Sequence, residues 1–358
     1  MKNLIVFELR KILSKRLSII ALIGTILISF LISFSTYQRK YAFDGVNLEG
    51  KGKMAVEIEK RISSKYEGIL TDEKVQEMLK DFSIIHNLNG LNATYIYQNS
   101  IQSSLFTKFV DKDGNWNGLK VSDVFGDEEI KIGYVDGWLS TSKNMMKVFV
   151  LLAISIIIML SPIFSSEYEG VDNIILTTKY GKTKCSAAKI IVGVISSIIV
   201  TSIVVCFNIV LAMAFYGTEG LNSSILFSPI EYMEGFIPFN ITCKTLIKYQ
   251  IILAFTCALS ITGITLFLSS ISKNQIISLV SSVTFFIFPI LLPITKANPM
   301  FKIIGLLPFY HVQSTALLSV EQLSNGLLYA IWAIPSALLF LALGSIISYK
   351  VFANHEVL

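Results

Sequence analysis

The stretch Pro162–Lys189, PIFSSEYEGVDNIILTTKYGKTKCSAAK, stands between two long apolar runs. Within it Tyr168, Val171, Ile174 and Ile175 recur at i, i+3, i+6 and i+7, which is one face of a short helix. Glu167, Glu169, Asp172 and Asn173 fall off that face, and Lys179, Lys182, Lys184 and Lys189 follow. A short amphipathic helix held between two membrane spans can move only if the spans move. The pattern reads as a segment on which another protein pushes.

The runs on either side set the fold class. The chain has 358 residues, of which 53% are hydrophobic and only 15% charged, against roughly 25% charged in soluble proteins. Its mean hydropathy is +0.63, and the apolar residues come in blocks, as in a polytopic membrane protein. The expectation is an all-α protein with six transmembrane helices, an N-terminal interfacial helix and a mainly α extracellular domain between the first two spans. The net charge of +5 comes with no basic patch interleaved with aromatics, which argues against nucleic acid. Cys185, Cys206, Cys243 and Cys257 form no disulfide framework, and His86, His311 and His355 are too dispersed for metal-ligand spacing.

Working outward, residues 1–16 read as an amphipathic helix lying in the membrane interface. Ile5, Leu9, Ile12 and Leu13 make the stripe, and Glu8, Arg10, Lys11, Ser14 and Lys15 face away. Residues 17–36 carry no charge and suffice to cross a core of ~30 Å. They are longer than a signal-peptide core and lack its small-residue cleavage pattern, so they read as an anchor. Residues 37–144 form the extracellular domain. Lys51–Phe82 reads as helix with a partial stripe of Met54, Ile58, Arg61, Ile62 and Lys65, and Thr71-Asp72-Glu73 as an N-cap with an acidic first turn. Phe82–Phe109 reads as helix interrupted near Asn87–Asn92, and the chain from Asp111 as loops or a small sheet.

The second span, 145–161, is expected to stop at Pro162, which lacks the N–H that a continuing helix needs. After the cytosolic segment 162–189 come a third span at 190–216, an extracellular loop at 217–245, and spans at 246–271 and 276–294. Only Ser272-Lys273-Asn274-Gln275 joins these last two, which allows just a tight helical hairpin. A segment at 295–325, extracellular or re-entrant, a sixth span at 326–349 and a cytosolic tail at 350–358 complete the chain. Lysine and arginine in the short flanks orient it: Lys2, Arg10, Lys11, Lys15, Arg16, Lys179, Lys182, Lys184, Lys189, Lys273 and Lys350 all fall on one side. That side is cytosolic by the positive-inside rule, which puts both termini inside.

Several motifs fail on spacing. Gly181-Lys182-Thr183 resembles the end of a phosphate-binding loop, but Leu176 stands where its first glycine belongs. Asp111-Lys112-Asp113-Gly114-Asn115 resembles a calcium loop, but Trp116 and Ser122 occupy the required Gly and Glu positions. The Asn-x-Ser/Thr matches at Asn92, Asn222 and Asn240 are short enough to arise by chance. No hydrolase elbow or zinc-protease motif is present, so no catalytic residue, cofactor-binding residue or metal ligand is expected. The apolar runs contain no Asp, Glu, Lys, Arg or His between their flanks. Ion-coupled transporters place such groups at membrane depth, and ion channels line their pores with polar rings. Energy for any uphill movement therefore has to enter from elsewhere.

The order of parts, together with the motif after the second span, resembles the membrane subunit of a bacterial ABC-2 type transporter. The motif positions are Phe164, Ser165, Glu167, Tyr168, Glu169, Asp172, Leu176, Thr177, Thr178, Gly181, Lys182 and Lys189, with Val171 where the family usually has a second glycine. The resemblance implies a permease of the bacterial plasma membrane that exports a hydrophobic, peptide or antibiotic-like substrate. It implies a coupling helix docking on a separate ATPase subunit that binds ATP and Mg, and a second permease copy or paralogue enclosing the path. Tyr168, Val171, Ile174 and Ile175 would bury against the ATPase, with Glu167, Asp172 and Lys182 at the rim. The competing class is a sensor or scaffold whose extracellular domain binds a ligand or partner. It is disfavoured because the cytosolic segments contain no output domain.

Overall fold

The computed structural model describes residues 1–82, 97–168, 181–229, 239–292, 300–313 and 329–354. Five helical stretches are long and apolar enough to cross a membrane: Arg16–Arg39, Asp136–Ser165, Gly181–Tyr216, Cys243–Ile271 and Ile331–Ala353. The chain is thus a mainly helical, membrane-embedded protein. The expected span at 276–294 is instead a helix of 17 residues, Gln275–Leu291, followed by extended backbone at Leu292. At 1.5 Å per residue it covers about 25 Å, short of a ~30 Å hydrocarbon core. Residues 293–299 lie outside the described residues.

The chain divides into two compact units. The first comprises Met1–Ser29, Met146–Phe207 and Tyr249–Leu358. It contains helix α1 (Lys2–Leu13), the N-terminal part of α2 (Arg16–Arg39) and the C-terminal part of α7 (Asp136–Leu160). Small hydroxyl residues and glycines let its helices approach, as is usual where lipid supplies no hydrophobic drive between helices. Thr25 Oγ1 and Ser155 Oγ are 2.6 Å apart, tying α2 to α7. Gly263 and Gly344 meet in close approach. A Cβ on Gly344 would lie 2.0 Å from the Gly263 carbonyl oxygen, and one on Gly263 would lie 2.3 Å from that of Phe340.

Pro162 breaks the second span for one residue only. A single turn, α8 (Pro162–Ser165), follows Ser161 directly, with proline at a first-turn position where no N–H is needed. Ser269 closes the gap. Its hydroxyl donates to the Ser161 carbonyl at 2.7 Å and accepts from the N–H groups of Phe164 at 3.0 Å and Ser165 at 3.2 Å. The third span likewise begins earlier than expected. A wide helical turn at Gly181–Cys185 runs into α9 (Ser186–Tyr216), so Lys189 lies inside a helix rather than flanking it.

The second unit comprises Phe30–Met145 and Asn208–Lys248, so the loop 217–245 packs with the domain between the first two spans. Its Lys51–Phe82 segment is two helices, α3 (Lys53–Lys65) and α4 (Asp72–Asp81), not one. Strand β3 (Gly68–Ile69) separates them and pairs antiparallel with β4 (Lys131–Ile132), while β1 (Tyr41–Phe43) pairs with β2 (Glu49–Lys51). The expected stripe on α3 is also turned. Met54, Arg61 and Lys65 are exposed, while Ala55, Ile58, Ile62 and Tyr66 enter the core. The Thr71 cap is present, its hydroxyl accepting from Lys74 N–H at 3.3 Å. Of the expected Phe82–Phe109 helix, only α5 (Ser100–Phe109) is helical among the described residues; Phe82 and Tyr97–Asn99 are not. The turn at Asp111 holds itself closed, its carboxylate accepting from the N–H groups of Asp113 and Asn115 at 3.0 and 2.8 Å. Residues 121–125, expected to be irregular, form one short helix.

Replacing Gly344 with Ala should lower the unfolding temperature of the detergent-purified protein by the equivalent of ~1–3 kcal/mol, because a methyl group there overlaps backbone. The same change at Gly24, which has nothing within 4 Å of an added Cβ, should leave the melt unchanged or raise it slightly.

Candidate functional site

The segment singled out by sequence is bordered by a buried cluster of charges in the first unit. Lys189, one turn into α9, is fully buried. Its ammonium group is 2.5 Å from Glu167 Oε1 and 3.4 Å from Glu8 Oε2, and it donates to the Ile163 carbonyl at 3.0 Å. It also lies 5.9 Å from the centre of the Phe164 ring. Lys11 closes the set from α1, at 3.1 Å from Glu167 Oε1 and 3.9 Å from Glu8 Oε2. Two carboxylates thus meet two ammonium groups at the junction of α1, the end of the second span and the start of the third.

The local sequence explains how the side chains arrive there. Glu8 shares an i, i+4 row with Leu4 and Ile12 on α1, so the face that buries Ile12 buries Glu8 as well. Glu8 was expected to face away from the apolar stripe. Its burial at 3% exposure is a correction. Glu167 follows α8, and its N–H donates to the Phe164 carbonyl at 2.9 Å. At 2% exposure it faces inward rather than rimming an outer contact. Next along the chain from α1, burial lowers the Lys15 ammonium, and the charges of Lys11 and Lys189 add to that effect.

The remaining residues picked out by sequence divide into two groups. Tyr168 is half-buried, its hydroxyl donating to the Ser270 carbonyl at 2.8 Å and its ring 6.1 Å from that of Phe352 on α14 (Tyr329–Ala353). Lys182 is exposed on the wide turn before α9. Val171, Asp172, Ile174 and Ile175 lie outside the described residues. Glu8, Lys11 and Lys189 were not foreseen as partners of Glu167. The i, i+4 row Leu4–Glu8–Ile12 was the available signal, since it puts a carboxylate on an apolar row.

Chemically, the cluster is a fastening. A buried ion pair gains little net stability over an apolar pair, but removing one member strands a charge and costs several kcal/mol. Glu167 Oε2 has no hydrogen-bond partner among the described residues. Among those residues, no group of three His, Cys, Asp or Glu side chains could hold a metal ion. The chain matches no protein-family model, no curated protein and no solved structure.

Lys189→Met should destabilise the protein by roughly 3–5 kcal/mol, because both carboxylates then stay buried with Lys11 alone. Adding Glu8→Gln and Glu167→Gln should recover more than half of that loss in a thermal melt. Equal destabilisation of the single and triple variants would show that charge pairing is not what holds this junction.

Proposed function

We propose that this chain is the permease subunit of an ATP-driven exporter of the ABC-2 type. A separate ATPase subunit binds ATP and Mg, and a second permease copy or paralogue completes the path. The substrate class is hydrophobic, peptide or antibiotic-like, and the chain itself carries no ATPase site. One observation supports this reading above others. Segment 169–180, which contains Val171, Asp172, Ile174 and Ile175, is preceded by Glu167 and followed by Lys189, and these two residues are ion-paired.

Such a pair makes a closed loop of chain with a rigid base. A push on the loop is passed to the end of one span and the start of the next, because the two ends cannot separate without exposing a buried charge pair. Glu8 and Lys11 bring α1 into the same body, so an interfacial helix rides with the loop. In this reading the exposed Lys182 and Lys184 belong to the cytosolic basic flank. In this reading Gln275–Leu291 is a sixth crossing shorter than the other five, spanned by local thinning of the bilayer, which puts both termini in the cytosol.

Val171→Asp and Ile174→Asp together should abolish binding of the ATPase subunit on co-purification. In this reading the two side chains meet only the ATPase, so the thermal melt of the permease should stay within about 1 kcal/mol of wild type, about 0.5 kcal/mol for each change. An ATPase that still co-purifies, with transport intact, would remove the coupling role from this segment.

A further inference from the structure

The first unit carries an apolar cleft away from its buried charges. It lies between α10 (Cys243–Ile271), α11 (Gln275–Leu291) and α14, beside the contact of Gly263 with Gly344. Its volume is about 180 Å³, and Ile264, Phe267, Leu268, Phe285, Leu343 and Ile347 form most of its wall. A second hollow, of about 550 Å³, is an open furrow along α11 alone, over Ile276, Ile277, Val280 and Phe288. Phe285 belongs to both and divides them. In a membrane-embedded unit, exposed side chains such as Ile276, Val280 and Leu343 meet hydrocarbon rather than water.

Two ammonium groups stand at one end of both surfaces. Tyr168 fixes that end, since its hydroxyl donates to the Ser270 carbonyl at 2.8 Å and its ring lies 6.1 Å from that of Phe352. The C-terminal ends of α10 and α14 therefore meet the same side chain. Lys273 follows Ser270 by three residues, in the turn that leads into α11, and the furrow begins at Ile276 just beyond it. Lys350 precedes Phe352 by two residues and continues the row of Leu343 and Ile347 on α14, because residues three and four apart share a helix face. Both lysines are exposed, and their long stems can follow apolar surface while the charge reaches the headgroup level.

We propose that this face holds one anionic phospholipid, with one acyl chain in the cleft, the other along α11, and the phosphate on Lys273 and Lys350. Size decides against a compact ligand in the cleft, which is smaller than the ~300–1,000 Å³ of sites for drug-sized molecules. A flexible hydrocarbon chain fits such a space. Two apolar surfaces side by side call for two chains, and the shared cationic end calls for a negative headgroup, as in basic sites between membrane helices. The bound lipid would fill the opening between α11 and its neighbours and hold the short helix against the bundle. This site rests on membrane embedding alone and not on the export reading.

Native mass spectrometry of the detergent-purified full chain tests this, with dioleoylphosphatidylglycerol or dioleoylphosphatidylcholine added at equal concentration. One phosphatidylglycerol should be retained roughly 30-fold more tightly than phosphatidylcholine, from two lysines each contributing about fivefold at a membrane surface. Lys273→Gln with Lys350→Gln should abolish that preference, while Lys51→Gln with Lys112→Gln, which removes the same charge from exposed positions in the second unit, should keep it. Leu343→Trp, which fills the cleft, should weaken retention of both lipids. Glycerol phosphate in large excess should not displace the lipid, because it lacks the chains. Equal retention of the two lipids, a preference that survives loss of Lys273 and Lys350, or displacement by glycerol phosphate would overturn the site. A dimer that carries no lipid would give this face to a second copy and overturn it as well. Should Leu343→Trp fail to fold, the lysine variants decide the matter.

Discussion

A lysine with no exposed surface sets the terms for the first unit. Lys189 sits in a helix otherwise built for an apolar environment, and a bare ammonium there would cost far more than any packing contact returns. It is tolerated because Glu167 and Glu8 come to it from two other segments and the Ile163 carbonyl accepts a further hydrogen bond. That requirement fixes where α1 lies, how the second span ends and where the third begins. The Pro162 break serves the same purpose. A straight continuation would carry Glu167 past the lysine, whereas the turn after Ser161, held by Ser269, delivers it.

The second unit solves a related problem differently. Its core is conventional, with α3, α4 and α5 meeting over Ile58, Ile62, Leu105 and Phe109. It also holds a buried ion pair and closely packed rings. Lys40 and Asp136 pair, the aromatic rings of Tyr37 and Phe215 stack at 4.7 Å, and Gly137 leaves room for the Tyr216 side chain, which an added Cβ would meet at 2.7 Å. Glu59 is buried with its carboxylate accepting from the Ser100 N–H and the Tyr97 hydroxyl.

Legibility in the sequence followed the kind of force involved. The blocks of apolar residues, the short break between helices at Ser272–Asn274 and the Thr71 cap were all readable, because each depends on composition or on neighbours a few residues apart. The stripe on α3 was read only in part, Ile58 and Ile62 entering the core as expected while Met54, Arg61 and Lys65 stay exposed. Its apolar residues are sparse, and the choice between Met54 and Ala55 as the inward residue depends on what lies opposite. Glu8 was misplaced for the same reason, since its partner is 181 positions away.

By itself the sequence determined that this is a helical membrane protein, where its apolar runs lie, and that a polar, amphipathic segment interrupts them after Pro162. These follow from the cost of placing charge and unpaired backbone in hydrocarbon, which each stretch of chain incurs locally. Only the tertiary structure decided that Glu167 and Lys189 are partners at the base of that segment, that Glu8 joins them, and that Lys40 pairs with Asp136. Burial of a charge is settled by what surrounds it, and in both clusters the surroundings come from segments far apart in the chain.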